Sequence, residues 1–171
     1  QEAKKLFNSV KKGIKNLKNS EVVICPPFVY LANLQLTTYN LKLGAQDCFW
    51  EDYDPPTTRG AQTKVWEGGG RVGVRRTPKG AFTGEISPSM LKNIGIKYVI
   101  IGHSERRKYL KETDEMVNKK LRAVLKAGLK AILCVGSKQR GEKGEREMSR
   151  QLEKALVKVK KSDLKNIVFT Y

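Results

Sequence analysis

The chain has 171 residues, of which 39% are hydrophobic and 30% are charged, and this composition fits one soluble domain with a buried core. No segment approaches the roughly 18 uninterrupted apolar residues of a membrane span, and the first residues lack the apolar run of a signal peptide, so we expect a cytoplasmic protein. The three cysteines are widely separated, which argues against a disulfide framework and against a zinc site. We expect them to be buried thiols: Cys25, Cys48 and Cys134.

The net charge of +17 leaves two interpretations open. Lysines and arginines that neutralise phosphates give sequence-independent affinity for nucleic acid. The lysines are nevertheless spread along predicted helices, opposite the apolar stripes, which favours ordinary solvated surfaces. The same positive field would also steer a small anionic substrate towards the protein.

Helix and strand signals alternate along the first part of the chain. A helix is predicted from apolar residues that recur every three or four positions, at Leu6, Val10, Ile14 and Leu17. The apolar run at residues 22–25 predicts a strand, because two prolines follow it and end the ladder. Residues 28–36 are predicted to form a short helix and residues 41–45 a strand.

The alternation continues in the second part of the chain. Ser87 and Pro88 begin a predicted helix that Gly95 ends. A buried strand is predicted at residues 98–101, and Thr113 opens a helix with an apolar stripe at Val117, Leu121, Val124 and Leu125. Two more strands, starting at Ala131 and Ile167, enclose a helix with a stripe at Leu152, Leu156 and Val159.

The spacing of the predicted strands indicates an α/β protein with a parallel sheet. Strand starts at Tyr98, Ala131 and Ile167 lie 33 and 36 residues apart, about the size of one strand–helix unit. An open doubly wound sheet and a closed barrel both fit this alternation.

One segment, residues 52–78, interrupts the alternation. Its 27 residues contain two adjacent prolines, three adjacent glycines and several arginines, with little periodicity, which predicts an irregular basic loop inserted into a single domain spanning residues 1–171. An alternative is a nucleic-acid-binding arm, in which an aromatic side chain stacks on bases beside cations. The residues that would form such an arm are Lys64, Trp66, Arg71, Arg75 and Arg76.

The only histidine of the chain, His103, follows directly after the predicted strand 98–101. Gly102 permits a sharp turn there, and Ser104 with Glu105 can begin a helix, since a hydroxyl caps free amides and a carboxylate favours the positive end of a helix. His103 is therefore predicted at the carboxyl end of a strand, where α/β proteins place their chemistry.

Two segments carry a resemblance to a known family. Residues 99–107, VIIGHSERR, and residues 80–87, GAFTGEIS, are similar to triosephosphate isomerase, as are the strand ends at residues 24–28, 43–50, 132–136 and 167–171. The resemblance implies a partial (β/α)8 barrel that begins inside the first helix and stops on the sixth strand. The family's active-site Asn and Lys and its general-base Glu would then fall outside these 171 residues, and the isolated chain is expected to be inactive.

The resemblance also implies a reaction and its residues. The family interconverts dihydroxyacetone phosphate and glyceraldehyde 3-phosphate through an enediolate, without a metal or an organic cofactor. His103 matches the electrophile that hydrogen-bonds to the substrate oxygens, and Glu105 matches a second active-site carboxylate. The family is itself the standard example of a neutral imidazole in this role.

Supporting residues follow from the same comparison. Ser104 is expected to be a cap and a hydrogen-bond partner, and Arg106 is expected to pair with Glu85. Thr83 lies on the loop that reaches a neighbouring subunit, which implies a homodimer, although the insert directly before this loop argues against the usual contact. The resemblance assigns no role to two other positions. Arg107 is expected to face solvent, and Ser137 stands where many relatives have Glu.

Overall fold

The computed structural model describes residues 2–14, 16–32, 34, 41–51 and 82–171. The predicted insert, residues 52–78, lies outside these residues. The elements of the described part are α1 Glu2–Gly13, β1 Val22–Ile24, α2 Phe28–Leu31, β2 Leu41–Ala45, α3 Pro88–Asn93, β3 Tyr98–Ile101, α4 Ser104–Tyr109, α5 Asp114–Lys126, β4 Lys130–Cys134, α6 Glu142–Ala155, a 3-10 helix Lys161–Asn166 and β5 Ile167–Thr170. Each strand of the described part is followed or preceded by helices, with two helical segments between β3 and β4 and two between β4 and β5.

The five strands form one parallel sheet in the order β1-β2-β3-β4-β5. Val22 is in register with Leu41, Tyr98 with Lys130, and Ala131 with Ile167. A doubly wound sheet would reverse its strand order partway, whereas here every strand pairs with the next one along the chain. The sheet is therefore an arc of a β/α barrel, and all the strands end at the same edge.

The core lies between the central strands and the helices that cover them. Leu43, Val99 and Leu133 are at most 2% exposed, and the stripe of α5 packs against them with three residues that are fully buried, Val117, Leu121 and Val124. Burying such a side chain stabilises the fold by about 1.5–3 kcal/mol. The predicted stripe of this helix is confirmed.

Two helix starts follow the capping pattern of the sequence. The Ser87 hydroxyl accepts a hydrogen bond from the Met90 N–H at 3.3 Å, and the Thr113 hydroxyl accepts one from the Met116 N–H at 3.3 Å. Each bond satisfies an N–H that has no partner within the helix. Gly95 follows α3 with a φ of +86°, which only glycine adopts without strain.

The outer helices differ from the prediction in detail. In α1, Leu6 is 68% exposed and Phe7 takes its place as the buried residue, while Ile14, directly after this helix, packs on the core as predicted. Helix α2 ends at Leu31, and part of the region predicted as its continuation lies outside the described residues. Helix α6 ends at Ala155, so Leu156 and Val159 pack on the core from the segment after it.

The expectation that all three cysteines are buried thiols is confirmed only in part. All three cysteines are free thiols, but only Cys48 is buried, while Cys25 and Cys134 are half-buried.

The helices in the described part of the chain are too short or too polar to cross a membrane.

Candidate active site

A cleft of about 840 Å³ opens at the carboxyl edge of the sheet. His103 enters it after β3, Gly136 after β4 and Tyr171 after β5. Parallel strands place their following loops side by side, so residues distant in sequence meet there. The position predicted for His103 is confirmed.

The turn at Gly102 delivers His103 to this cleft. Gly102 has a φ of +76°, and a Cβ at this position would lie 3.1 Å from the Cys134 carbonyl oxygen and 3.3 Å from a Val117 methyl group. Both the conformation and the crowding require glycine. The chain can therefore turn directly from β3 into α4.

His103, and not Ser104, caps helix α4. The His103 Nδ1 accepts a hydrogen bond from the Glu105 N–H at 3.4 Å, and Ser104 is the first residue inside the helix. The predicted cap is therefore displaced by one residue, because an imidazole nitrogen takes the place of the hydroxyl oxygen. Ser104 still lines the cleft.

This hydrogen bond determines which ring nitrogen of His103 carries a proton. A nitrogen that accepts a hydrogen bond cannot also hold a proton in the plane of the ring, so the neutral imidazole has its N–H at Nε2. The imidazole is 44% exposed, and a Glu105 carboxylate oxygen lies 3.7 Å from Nδ1. The arrangement leaves Nε2–H as the donor for a ligand in the cleft.

Arg106 does not form the predicted pair with Glu85. Its guanidinium lies 2.8 Å from the Asp47 carboxylate and 3.3 Å from that of Glu112. Glu85 is exposed and has no ion pair among the residues that the structure describes. The difference has a physical reason: buried carboxylates lose more solvation than an exposed one and need the cation more.

Lys120 completes this buried cluster, which the sequence analysis missed. Its ammonium lies 2.7 Å from Asp47 and 2.5 Å from Glu112, and the lysine side chain is 3% exposed. Burial raises the pKa of Asp47, against the opposing effects of Lys120 and Arg106. The available signal was a lysine within the apolar stripe of α5, where a charge requires a partner.

Arg107 holds the turn before His103, contrary to the expectation that it faces solvent. Its side chain is 19% exposed, and it pairs with Asp114 at 2.6 Å. Its Nε also donates a hydrogen bond to the Gly102 carbonyl oxygen at 3.0 Å. Arg107 thus ties the end of β3 to the first turn of α5.

The opposite wall of the cleft is held by Gln151 from α6. This buried side chain accepts a hydrogen bond from the Gly136 N–H at 3.1 Å and donates one to the Gly136 carbonyl oxygen at 2.9 Å. The Ser137 hydroxyl donates to Glu147 at 2.5 Å and accepts from the Gln139 N–H at 2.9 Å. These contacts fix the loop after β4.

Cys134 also lines the cleft. Burial raises the pKa of its thiol, although the nearby Arg107 acts in the opposite direction. A thiol with a raised pKa is a weak nucleophile at neutral pH, since the thiolate is the reactive form. This supports the interpretation of Cys134 as a packing residue.

The remaining predicted site residues lie outside the cleft. Thr83 and Glu85 are exposed on the loop before α3, where the Glu85 N–H donates to the Phe82 carbonyl oxygen at 3.0 Å. In the described ranges, no three His, Cys, Asp or Glu side chains gather into a group that could hold a metal ion. The structure brings together His103, Ser104 and the neighbouring Glu105, but not the loop residues.

Known proteins that resemble this chain in sequence belong to one family. The sequence profile of the family "Triosephosphate isomerase" matches residues 1–67 and 70–171. The triosephosphate isomerase of Thermoanaerobacter sp. (strain X514) is 43% identical over 176 residues, which cover 99% of this chain and 60% of the relative. That of Dictyoglomus turgidum is 39% identical over 175 residues, with the same coverage of 99% and 60%.

A solved structure of the same family also resembles this chain in its fold. The crystal structure of triosephosphate isomerase from Bartonella henselae superposes with a TM-score of 0.65 at 33% sequence identity, over 87% of this chain and 53% of that one. The chain therefore spans about 60% of the length of the curated relatives it matches.

Proposed function

Since the chain belongs to the triosephosphate isomerase family, we propose that His103 and its neighbours form part of an active site that interconverts dihydroxyacetone phosphate and glyceraldehyde 3-phosphate. The observation that carries this proposal is the hydrogen bond from the Glu105 N–H to the His103 Nδ1, at 3.4 Å. In the neutral form of the imidazole, this bond places the proton on Nε2, beside a cleft at the carboxyl edge of the sheet.

The chemistry requires such a donor. Moving a proton between the two adjacent carbons of the substrate places negative charge on the substrate oxygens as the enediolate forms. A fixed hydrogen-bond donor lowers the energy of that state without reorganisation. Nε2 can give its proton to one substrate oxygen and accept a proton from the other. His103 can therefore also transfer protons between the two oxygens.

The neighbouring residues take supporting roles. The Glu105 N–H orients the imidazole, and the Glu105 carboxylate, 76% exposed, is available to a group that approaches the cleft. Ser104 lines the cleft beside His103. Arg106 supports the site indirectly, because its ion pair with Asp47 at 2.8 Å attaches α4 to the loop after β2.

The loop before α3 supports a second part of the proposal, a homodimer. Phe82, Thr83 and Glu85 are all exposed, so this loop presents side chains that a second copy can cover. Sedimentation equilibrium measures the assembly, and a strictly monomeric chain at all concentrations would contradict it. The three free thiols support a cytoplasmic location, where thiols stay reduced.

The isomerase proposal is tested in a chimera. This chain is joined to the segments of the Thermoanaerobacter relative that precede and follow the matched region, and turnover of glyceraldehyde 3-phosphate is followed in a coupled assay. We expect isomerase activity, and we expect His103→Gln to lower kcat by about 10²–10⁴. The matched control is Lys143→Gln, an exposed change on α6. An inactive chimera, or a His103→Gln variant with the turnover of its parent, would contradict the proposal.

A further inference from the structure

A second concave surface lies apart from the cleft and shares no lining residue with it. This basic groove has a volume of about 550 Å³ and runs between the second half of α5 and residues 158–163, with Trp50 in its wall. Its apolar part includes Leu125 and Val159, which also pack on the core. Its charged part consists of five cations and one acid: Lys119, Arg122, Lys126, Lys158, Lys160 and Asp163.

Among the residues that the structure describes, the five cations of the basic groove lack carboxylate partners, since none of them lies within 4.0 Å of an acidic oxygen. Cations grouped without counter-charges repel one another and raise the local potential. An anionic ligand would relieve this repulsion.

Part of the groove is fixed before any ligand binds. The Lys119 ammonium lies 5.4 Å from the centre of the Trp50 ring, in a cation–π contact, and Trp50 packs on Phe49 with 4.3 Å between ring centres. Lys158 has a φ of +59°, an unfavourable conformation for a residue with a side chain.

We propose that the basic groove binds the phosphate chain of a polyphosphate ligand. Lysine and arginine are the side chains that bind phosphate oxygens, and a groove holds a short chain of phosphates more closely than a flat surface would. A triphosphate carries about four negative charges at neutral pH, which matches five cations offset by one carboxylate. Inorganic polyphosphate and a nucleoside triphosphate share this chemistry.

Calorimetric titration of the full chain with inorganic triphosphate tests the proposal, with magnesium-free ATP as the second arm. The test variant combines Arg122→Gln with Lys160→Gln, and the matched control combines Lys4→Gln with Lys5→Gln on α1. All four positions are exposed, and both variants lose two positive charges. We expect the groove variant to bind triphosphate about tenfold or more weakly, because charge-assisted contacts are lost, and the control to stay within about twofold.

The outcomes separate the groove from general charge. Equal losses in both variants would show that the affinity follows net charge, and absence of triphosphate binding would also overturn the proposal. Binding of single-stranded DNA alone, lost in the groove variant, would replace the polyphosphate with a nucleic acid. Tighter binding of ATP than of triphosphate would identify a nucleotide as the source of the phosphates and support the proposal. Thermal midpoints confirm folding, and Lys160→Gln alone serves if the double variant unfolds.

Discussion

Replacing Lys120 by Met should destabilise the fold more than any exposed charge change on the same helix. The Lys120 side chain is 3% exposed, and its ammonium lies 2.7 Å from Asp47 and 2.5 Å from Glu112. Met retains most of the volume and apolar surface of the lysine. The substitution therefore removes the charge and leaves one half-buried cation, Arg106, facing two carboxylates.

The expected magnitude follows from the burial of those carboxylates. Asp47 and Glu112 are 10% and 1% exposed, so water cannot replace the missing ammonium. Removing one partner of a buried ion pair costs about 3–5 kcal/mol, against a total stability of about 5–15 kcal/mol for a typical domain. The variant should therefore lose about a fifth or more of its free energy of unfolding.

Urea denaturation followed by circular dichroism measures the effect. The matched control is Lys119→Met, because Lys119 is the next residue of α5 and is exposed, and it should cost less than about 1 kcal/mol. Adding Glu112→Gln to Lys120→Met restores charge balance and should recover about 1–3 kcal/mol. A Lys120→Met variant as stable as its Lys119→Met control, or a double variant without recovery, would refute the reasoning.

Three further experiments test other contacts. Gly44→Ala should lower the free energy of unfolding by about 1–3 kcal/mol in urea melts, since a Cβ there strikes the Cys25 sulfur, and adding Cys25→Ala should reverse part of the loss. Burial raises the pKa of Cys25 to about 11, so the folded protein should alkylate at Cys25 about 100-fold more slowly at pH 8 than the unfolded chain does, by peptide mass spectrometry. The neutral Cys25 thiol favours the folded state below pH 9. This contribution to the free energy of unfolding is lost as the pH rises towards 11. Gln151→Leu should cost about 1–3 kcal/mol and speed amide exchange at Gly136, because it leaves both backbone groups of Gly136 without their partner; unchanged exchange would contradict the assignment.

The central strands and their following helices could be predicted because local signals agree with the fold. Residues 98–101 are apolar and β-branched at three of four positions, and they form β3 over the predicted range. Thr113 caps α5 as expected, and the three deepest residues of its stripe are fully buried. The order of the strands could not follow from these signals, since alternation alone fits both an open sheet and a barrel.

The partners of charged residues could not be predicted from local patterns. Glu112, 1% exposed, stands in a short connection between two helices, where the sequence gives no sign of burial. Asp47 is 73 residues away from Lys120, yet their side chains share two hydrogen bonds. Such pairs depend on how distant elements are arranged in space, which local patterns do not specify. The expected pair of Arg106 with Glu85 was wrong for that reason.

The segment GHSERR combines chemistry and attachment in six residues. Its first part turns the chain and presents His103, while Arg106 and Arg107 point back to Asp47 and Asp114, which belong to other elements. A six-residue helix has few hydrogen bonds of its own and would fray if it were isolated. Because two arginines anchor α4 to its neighbours, the Glu105 N–H stays within reach of the imidazole, and the proton of His103 stays on Nε2. The position of the candidate electrophile is thus determined by the ion pairs that Arg106 and Arg107 form with Asp47 and Asp114.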